Sequence, residues 1–531
     1  MSAAGAADGP GGGPALPLHY NVAAALLERR LAAGDGGRPA VICPDRAWSY
    51  DAVAALTAQT AHALARLGAG REDRVLIALP DSAEYVAAFL GAIALGAVAV
   101  PCNTFLGPAD YGYFLAESRA TVMVTTEAMR QALAPVLAAA SWLRVVLVVD
   151  AADDHDDEAP RVRSWARWVG AAPPAFAPAE THRDAPAFWL WTSGSTGLPK
   201  AAVHLHQDWP WCCEGFAVGV LGLSRDDRLF SAAKLFHAYG LGNALAFPFW
   251  VGAPVVLLPG RATADAVFGV FAAHAPTVFF GVPTLYAAIL QRAAQDPALG
   301  DGALRLAVSA GEPLPPDLYR RWRRHFGVEL LDAPGSTEVL HCYLSPRRGR
   351  VTPGSVGEPV PGYAMRIVDE HGHDVPDGVE GELWVHGRST AIAYWQRREQ
   401  TTAKMHGPWF ASGDRYRRDA EGRYWHIGRT DDMFKVAGEW CSATEVEAAL
   451  AAHDAVVECA VVPQPDGDGV LKPRAVVVLA ASAEASDGLA DELRTFVRRR
   501  LAHYKCPRTI DFVAELPKTA TGKIQRFKLR E

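Results

Sequence analysis

Short apolar runs alternate with helix-patterned segments over most of the chain. Residues 50–69 and 82–96 place apolar side chains at helical spacing, whereas residues 74–80 and 97–103 are short apolar runs typical of buried strands. Residues 276–294 repeat this order, with a strand-like run that leads into a helical pattern. Because strands that alternate with helices form sheets covered by those helices, the pattern predicts an α/β fold with parallel-rich sheets.

The pattern changes near residue 351. Gly-rich turns now separate strand-like segments with alternating apolar and polar positions, at residues 363–369, 381–387 and 422–428. These segments indicate a β-rich subdomain.

The C-terminal part of the chain has a pattern of its own. Residues 442–453 predict a helix with a capping-type start, and residues 456–463 and 473–480 predict strands. Residues 489–505 predict an amphipathic helix. The segment therefore reads as a small α+β domain.

We predict three parts along the chain. Residues 1–17 form a disordered leader, because they are low in complexity and lack the basic start and apolar core of a signal peptide. Residues 18–430 form an N-terminal domain of two α/β subdomains with parallel-rich sheets plus the β-rich subdomain. Residues 431–531 form the small C-terminal domain.

Composition narrows the class of protein. A chain of 531 residues predicts two or more domains, and 50% hydrophobic with 21% charged residues is typical of a globular protein in water. A net charge of −7 argues against binding of nucleic acid through a general basic field. No apolar run approaches the roughly 20 residues of a membrane helix, so we predict a cytoplasmic protein without a membrane partner.

Eight cysteines are scattered along the chain without a Cys-x-x-Cys pair or a regular spacing. Such a distribution predicts reduced thiols rather than a disulfide framework or a zinc site.

The first stretch with candidate chemistry is "TSGSTGLPK", residues 192–200, which follows a strand-like apolar run. It is not a Walker loop, because Gly-Lys-Ser/Thr does not follow the first glycine at the required offset. Backbone N–H groups near Gly194 and Gly197, several hydroxyl groups and the ammonium of Lys200 form a set suited to a polyphosphate. A polar hairpin turn is the alternative.

The second stretch, "LLDAPGSTEVLH", leads from a strand-like run into a Gly-Ser-Thr-Glu turn. The hydroxyl of Thr337 beside the carboxylate of Glu338 could hold a hydrated Mg²⁺, an ion that retains waters and takes few protein ligands. The alternative is a helix N-cap with a glutamate in its first turn.

The third and fourth stretches lie in the last part of the chain. Asp414 follows a Ser-Gly turn and is suited to accept hydrogen bonds from a ribose diol, while Arg429 and Asp431 lie at the predicted domain boundary. Lys523 lies beside a glycine in "PKTATGKIQRFKLRE". The alternatives are a surface charge cluster for the third stretch and a solvated lysine for the fourth.

The order of these four stretches resembles the adenylate-forming superfamily, which contains acyl- and aryl-CoA synthetases, adenylation domains and luciferases. The resemblance covers essentially the whole chain after the leader. "FSAAKLFHAYGLGNALAFPFWVGA", "SAGEPLP", "GSTEVLH" and "AELPKTATGKIQRFKLRE" are similar to benzoate-CoA ligases within that superfamily.

The resemblance implies an ATP-dependent acid–thiol ligase. Such an enzyme activates an aromatic or cyclic carboxylic acid as acyl-AMP with release of pyrophosphate, uses Mg²⁺, and transfers the acyl group to CoA. One alternative keeps adenylation but loads the acid onto the phosphopantetheine of a carrier protein. A second alternative is a nucleotide-binding protein without catalysis.

The resemblance also implies roles for individual residues. Lys523 would be the main catalytic residue, acting with Thr337 and Glu338, of which Glu338 would hold Mg²⁺ together with Thr337. ATP would bind at Thr192, Ser193, Gly194, Ser195, Thr196, Gly197, Lys200, Gly311, Glu312, Pro313, Asp332, Asp414 and Arg429. The acyl pocket would comprise His237, Ala238, Tyr239, Ala310, Pro334 and His341, for each of which ordinary core packing is the alternative.

In the superfamily the C-terminal domain is mobile. It rotates about a hinge after adenylation, and the hinge position implied here is Asp431. Rotation would withdraw Lys523 and present a thiol-side surface at Lys435, Gly438 and Glu439.

The chain also departs from the pattern of benzoate-CoA ligases. His237 stands where an aromatic phenylalanine is usual, and Pro334 precedes "GSTE" where tyrosine or an aliphatic residue is usual. The fixed φ and missing N–H of Pro334 would reshape that wall of the site. Ala443 replaces a proline on the presumed thiol side, so the substrate acid and its acceptor are less specified than adenylation.

Overall fold

The computed structural model describes most of the chain. The described residues are 13–156, 159–193, 198–296, 299–300, 302–429, 433–436, 439–466, 471–481, 483–518 and 524–530. They fold into two compact units: residues 1–365 with 385–410, and residues 366–384 with 411–531. Residues 430–432 lie outside the described part, and the boundary at residue 431 stays a prediction.

The strands run throughout the chain. They are β1 (Pro39–Ile42), β2 (Ala47–Ser49), β3 (Arg74–Ala78), β4 (Val98–Pro101), β5 (Val122–Thr125), β6 (Val145–Val148), β7 (Arg161–Ser164), β8 (Pro186–Ser193), β9 (Pro199–Leu205), β10 (Leu229–Ser231), β11 (Val255–Val256), β12 (Val278–Gly281), β13 (Leu306–Ser309), β14 (Leu330–Asp332), β15 (Leu344–Ser345), β16 (Glu358–Pro359), β17 (Ala364–Val368), β18 (Glu380–His386), β19 (Ala393–Tyr394), β20 (Met405–His406), β21 (Trp409–Arg418), β22 (Tyr424–Arg429), β23 (Met433–Val436), β24 (Glu439–Ser442), β25 (Val456–Pro465), β26 (Leu471–Leu479) and β27 (Thr509–Phe512).

The helices alternate with these strands. They are α1 (Val22–Ala32), α2 (Tyr50–Arg66), α3 (Ala83–Leu95), α4 (Pro108–Ser118), α5 (Glu127–Ala132), α6 (Ala134–Ala138), α7 (Trp165–Trp168), α8 (Asp208–Cys212), α9 (Ala238–Leu241), α10 (Phe247–Val251), α11 (Ala264–His274), α12 (Pro283–Gln295), α13 (Pro316–Phe326), α14 (Arg398–Lys404), α15 (Ala443–Ala451) and α16 (Asp487–Arg498). π-Helical segments cover Cys213–Val218 and Gly242–Ala246.

Two large sheets form the first unit. One has the strand order β19-β9-β8-β4-β3-β5-β6-β7, in which β8 to β7 pair in parallel while β9 and β19 are antiparallel additions at one edge. The other has the order β14-β13-β12-β10-β11-β1-β2 and is parallel except for the β1–β2 pair. The α/β class with parallel-rich sheets is therefore confirmed.

Helix α3 shows how the apolar pattern produces this fold. Ser82 caps its start, since the Ser82 hydroxyl accepts a hydrogen bond from the Tyr85 N–H at 3.1 Å. Gly96, with φ of 83°, ends it in a left-handed conformation that favours glycine. Almost every side chain between them is buried. A helix that is apolar on all sides is stable only when other elements cover it, and strand β4 follows at once.

The second unit confirms most of the predicted C-terminal elements. Ser442 caps α15 by accepting the Glu445 N–H at 3.3 Å, and β25, β26 and β27 form a three-stranded sheet. The helix predicted over residues 489–505 is shorter, because α16 ends at Arg498. The N–H groups of Arg500 and Leu501 both bond to one carbonyl, that of Val497, and this tightened turn ends the helix.

No helix in the described ranges combines the length and the apolar character that crossing a membrane requires.

We predict that Trp322→Ala lowers the free energy of unfolding of the first unit by about 3–5 kcal/mol, the cost of a large cavity in a packed core. Trp322 is fully buried in α13, with ring centroids 4.7 Å from Tyr286 and 4.3 Å from Phe326. Denaturant unfolding followed by circular dichroism measures the change. Trp142→Ala is the matched control: Trp142 is 52% exposed, and its replacement should change stability by no more than about 0.5 kcal/mol.

Candidate active site

The β8–β9 hairpin carries the first candidate stretch. Thr192 pairs with Lys200 and Ser193 with Pro199, so the two ends of the stretch lie side by side. The strand predicted before the stretch is confirmed as β8. Gly194, Ser195, Thr196 and Gly197 lie outside the described residues, and their role in phosphate binding stays a prediction.

A tyrosine connects the first stretch to the second. The hydroxyl of Tyr394 donates a hydrogen bond to Oε1 of Glu338 at 2.7 Å, and the ammonium of Lys200 lies 4.3 Å from the centroid of the same tyrosine ring. Tyr394 is 3% exposed and Glu338 is 9% exposed, so a hydrogen bond to the carboxylate strongly restricts its orientation. The structure therefore brings Lys200 and Glu338 to one aromatic side chain, Lys200 at its ring and Glu338 at its hydroxyl group.

The Gly-Ser-Thr-Glu stretch is a turn, and the alternative of a helix N-cap is wrong for it. No helix begins there; instead the Ser336 hydroxyl accepts the Val339 N–H at 3.2 Å, and Leu340 takes a positive φ of 73°. A non-glycine residue in this region is held only when surrounding contacts dictate it.

Hydrogen bonds hold the carbonyl groups of this turn. The Glu338 carbonyl accepts the Ala391 N–H at 2.7 Å, and the Val339 carbonyl accepts the Ser389 hydroxyl at 2.8 Å. The Thr337 carbonyl faces Nε2 of His204 at 2.8 Å. The partners belong to two segments distant in sequence from the turn, strand β9 and residues 389–391, and they fix the backbone that carries the Thr337 hydroxyl and the Glu338 carboxylate.

The donor set at this turn fits a hydrated Mg²⁺. Such an ion takes one or two carboxylates, keeps several waters and binds substrate phosphates. Among the residues that the structure describes, no group of three or more His, Cys, Asp or Glu side chains could enclose a metal. Glu338 with the neighbouring Thr337 hydroxyl is a donor set compatible with an ion that needs few protein ligands.

Residues predicted to contact the adenine lie at the carboxyl ends of two parallel strands. Asp332 ends β14 opposite Ser309 at the end of β13, and its Oδ2 accepts the Leu314 N–H at 3.3 Å. Burial raises the pKa of Asp332 to about 7, against the opposing effect of that hydrogen bond. Gly311, with φ of 86°, lies in the connection that follows β13, and Glu312 and Pro313 come next. Ligands bind at such strand ends in open parallel sheets.

Aromatic rings surround the buried His341. Ring centroids of Phe216, Phe247 and Tyr239 lie 5.3, 4.5 and 5.5 Å from the His341 ring. Burial lowers the pKa of His341 to about 3, so its ring is neutral near pH 7. Its Nε2 lies 3.4 Å from the Tyr239 carbonyl, and within the described chain its Nδ1 has no hydrogen-bond partner.

The remaining predicted acyl residues lie at the start of α9 and after strands β13 and β14. His237 precedes α9, Ala238 begins that helix, and Ala310 follows β13; Ala238 and Ala310 are buried, whereas His237 and Pro334 are half-buried. The Tyr239 hydroxyl donates to the Val308 carbonyl at 3.0 Å, which ties α9 to the end of β13.

Gly242 leaves the space that His341 occupies. A Cβ atom at Gly242 would lie 2.3 Å from Cδ2 and 2.7 Å from Nε2 of His341, well inside van der Waals contact. The two π-helical segments contribute to the same cluster, since Phe216 belongs to one and Gly242 begins the other. π-Helical turns occur often at functional sites.

Four candidate residues of the second unit lie in two antiparallel strand pairs. Asp414 and Arg429 are paired on β21 and β22, with Oδ1 and Nη1 3.4 Å apart. Lys435 and Glu439 belong to the β23–β24 hairpin, and their side chains are not described. Gly438, Asp431 and Lys523 lie outside the described residues, so the thiol surface, the hinge and the catalytic lysine stay predictions.

Reasoning from sequence missed Tyr394, His204 and Ser389. Their local sequence carries no motif, and each reaches the turn only through strand pairing or loop packing. Gly242 was also missed, although glycine inside an otherwise helical pattern was a signal of close approach.

Solved structures of similar sequence share this fold. The anthranilate CoA ligase AuaEII in complex with anthranoyl-AMP matches with a TM-score of 0.91 and 39% identity, over 97% of both chains. A benzoate CoA ligase from Burkholderia xenovorans LB400 matches with a TM-score of 0.87 and 44% identity, over 96% of this chain and 100% of that one.

Sequence comparisons agree with these structures. A benzoate–CoA ligase of Thauera aromatica is 44% identical over 517 residues, which span 97% of this chain and 96% of the relative. The model of the AMP-binding enzyme family matches residues 28–395, and that of the AMP-binding enzyme C-terminal domain matches residues 445–523. With more than half of its length matched, the chain belongs to the family of AMP-binding enzymes.

Proposed function

We propose that this protein is an AMP-forming acid–thiol ligase for aromatic carboxylic acids. It joins ATP and a benzoate-like acid into an acyl-AMP with release of pyrophosphate, and then transfers the acyl group to CoA. Relatives named as benzoate–CoA and anthranilate–CoA ligases, which align over nearly the whole chain, support both the acid class and the acceptor.

The observation that carries this proposal is the convergence of Lys200 and Glu338 on Tyr394. The hairpin that ends at Lys200 and the turn that bears Glu338 are more than a hundred residues apart in sequence, yet one tyrosine contacts both. A cation and a carboxylate that contact the same side chain suit a polyphosphate with its accompanying cation.

The chemistry explains why such an arrangement is needed. The substrate carboxylate and ATP are both anions, and they repel each other unless positive charge lies between them. Adenylation is therefore mainly a problem of positioning and charge neutralisation at the α-phosphorus. Lys200 would neutralise charge on the β- and γ-phosphates, which leave as pyrophosphate.

Mg²⁺ held by Glu338 and the Thr337 hydroxyl would supply further neutralisation of phosphate charge. Lys523 would bridge the reacting carboxylate and the α-phosphate, and Asp414 with Arg429 would bind the ribose. Asp431 would act as the hinge between the two half-reactions. The resemblance of these positions to the motifs of the family supports these roles.

The acid would bind beside the cluster of His341, Tyr239 and Phe247. A pocket wall made of aromatic side chains favours a flat apolar substrate, which can stack on those rings. Because His341 is neutral, it offers its ring and an unpartnered Nδ1 rather than a positive charge to the bound acid.

Pyrophosphate exchange tests the function. We expect exchange of labelled pyrophosphate into ATP only when a carboxylic acid is added, with benzoate, hydroxybenzoates and aminobenzoates ahead of cyclohexane carboxylate and short aliphatic acids. Absence of exchange with every acid would contradict adenylation. Thioester formation with free CoA, compared with a phosphopantetheinylated carrier protein, then identifies the acceptor.

Lys523→Ala separates the two half-reactions within the same assay. Exchange should fall at least about 100-fold, since charge stabilisation at the α-phosphate is lost. Supplied acyl-AMP should still be converted to thioester by CoA. An equal loss in both half-reactions would rule out the role assigned to Lys523.

Tyr394→Phe tests the contact between the two stretches. The variant keeps the ring beneath Lys200 but removes the hydrogen bond to Glu338, so kcat of adenylation should fall about 10-fold or more. Tyr319→Phe is the control, because Tyr319 lies on α13 and has no role in the site. Steady-state exchange kinetics measure both, and equal rates for the two variants would contradict the role of Tyr394.

Gly242→Ala tests where the acid binds. The added methyl group must displace His341, and overpacking of this kind should raise KM for the acid about 10-fold while KM for ATP stays constant. Gly269→Ala is the matched control, since Gly269 lies in helix α11 with open space around it. A change in KM for ATP alone would place the acid elsewhere.

A further inference from the structure

A buried histidine lies directly behind the turn of Thr337 and Glu338. His204 belongs to β9, the same strand as Lys200, and its side chain is fully buried. Its Nε2 lies 2.8 Å from the Thr337 carbonyl oxygen, and its Nδ1 lies 2.9 Å from Oδ2 of Asp208, whose side chain is also fully buried. One imidazole thus connects a buried carboxyl group to the backbone of the turn.

The Thr337 carbonyl determines which ring nitrogen of His204 carries a hydrogen. A carbonyl oxygen has only lone pairs, so Nε2 of His204 must carry a hydrogen and donate it to Thr337. One further proton lies between Nδ1 and Asp208, on the ring or on the carboxyl group. In both arrangements Nε2 remains the donor to Thr337, and Asp208 is the partner that holds Nδ1.

The surroundings hold this pair rigidly. The His204 ring stacks on Phe188 at a centroid distance of 5.2 Å and 16°, and Phe188 stacks in turn on Trp209 at 5.4 Å. The same Oδ2 of Asp208 accepts the Leu205 N–H at 3.0 Å. Burial raises the pKa of Asp208, whereas the hydrogen bond to His204 lowers it. Stacking fixes the plane of the imidazole, and the backbone fixes the carboxyl group.

The Thr337 carbonyl is the point at which this pair acts on the turn. It accepts a second hydrogen bond from the Leu340 N–H at 3.2 Å, and Leu340 is the residue with a positive φ. Without His204, this carbonyl would lose its side-chain partner and the strained turn would lose a constraint.

We propose that His204 and Asp208 are a positioning pair for adenylation, which fixes the Thr337 carbonyl and thereby orients the Thr337 hydroxyl and the Glu338 carboxylate toward the phosphates. The proposal rests on the function proposed above and adds two residues to its machinery. Neither touches substrate; both act through the backbone of the turn.

The chain provides a matched control two residues away. His206 is as fully buried as His204, and its Nδ1 accepts the Val22 N–H at 3.2 Å, a contact with helix α1 rather than with the turn. Removal of His206 therefore measures the effect of losing a buried histidine and its hydrogen bond without disturbing Thr337.

The experiment compares His204→Leu, His204→Gln and His206→Leu. His204→Leu should lower kcat of pyrophosphate exchange about 10- to 100-fold, the usual effect of removing a group that orients a ligand, with KM for the acid unchanged. The Nε2–H of glutamine can still reach the Thr337 carbonyl, so His204→Gln should recover part of that loss. His206→Leu should lower the melting temperature as much as His204→Leu but keep kcat within about twofold.

A double-mutant comparison tests the role of Asp208. If Asp208 acts through His204, Asp208→Ala, which leaves Nδ1 without a side-chain partner, lowers kcat in the wild-type background and has no further effect in the His204→Leu background. Additive losses in the two backgrounds would overturn the pair and leave two independent residues.

Hydrogen exchange provides a measure that does not depend on activity. Amides of residues 336–342 should exchange about 10-fold faster in His204→Leu and at the wild-type rate in His206→Leu. Unchanged exchange of this segment, or equal kcat in the two leucine variants, would overturn the proposal. A wild-type protein without pyrophosphate exchange would instead overturn the proposed function, and the hydrogen exchange comparison would still decide whether His204 fixes the turn.

Discussion

The pairing of β9 with β19 is the constraint on which the candidate site depends. Ala202 and Val203 pair with Tyr394 and Ala393 at the edge of an otherwise parallel sheet. This pairing joins the return strand of the first hairpin to a segment that is distant in sequence, and it places Tyr394 against Lys200. Because every second residue of a strand faces the same side, Lys200 at the start of β9 and His204 four residues later face one side of the sheet. A one-residue shift of register would move both away from their partners.

The turn of Thr337 and Glu338 shows how a polar loop can be buried without loss of stability. An unpaired buried carbonyl costs free energy, and here three successive carbonyls accept hydrogen bonds from His204, from Ala391 and from Ser389. The partners come from two segments of the first unit, strand β9 and residues 389–391, so the turn forms only when those segments are assembled with it. Its conformation, including the positive φ of Leu340, is thus a property of the tertiary structure.

Most of the fold was accessible from local pattern. The helices at α2 and α3, the strands β3 and β4 and the capped start of α15 follow from apolar periodicity and from capping residues. The end of α16 did not, because the amphipathic pattern continues after the backbone has tightened at Val497. The π-helical segments were also not predicted, since an extra residue in a helical turn leaves the apolar pattern almost unchanged. These segments depend instead on packing among the rings around His341.

The sequence by itself determined the class of fold and the residue types available for the chemistry. Periodicity specifies which faces are apolar, and the hydroxyl, glycine, lysine and carboxylate positions of the two stretches are local features. Only the tertiary structure decided that Tyr394 joins Lys200 to Glu338, that His204 supports Thr337, and that Gly242 makes room for His341. These contacts join residues far apart in the chain. Local propensity does not specify which distant backbone group or ring a side chain will contact in the folded protein.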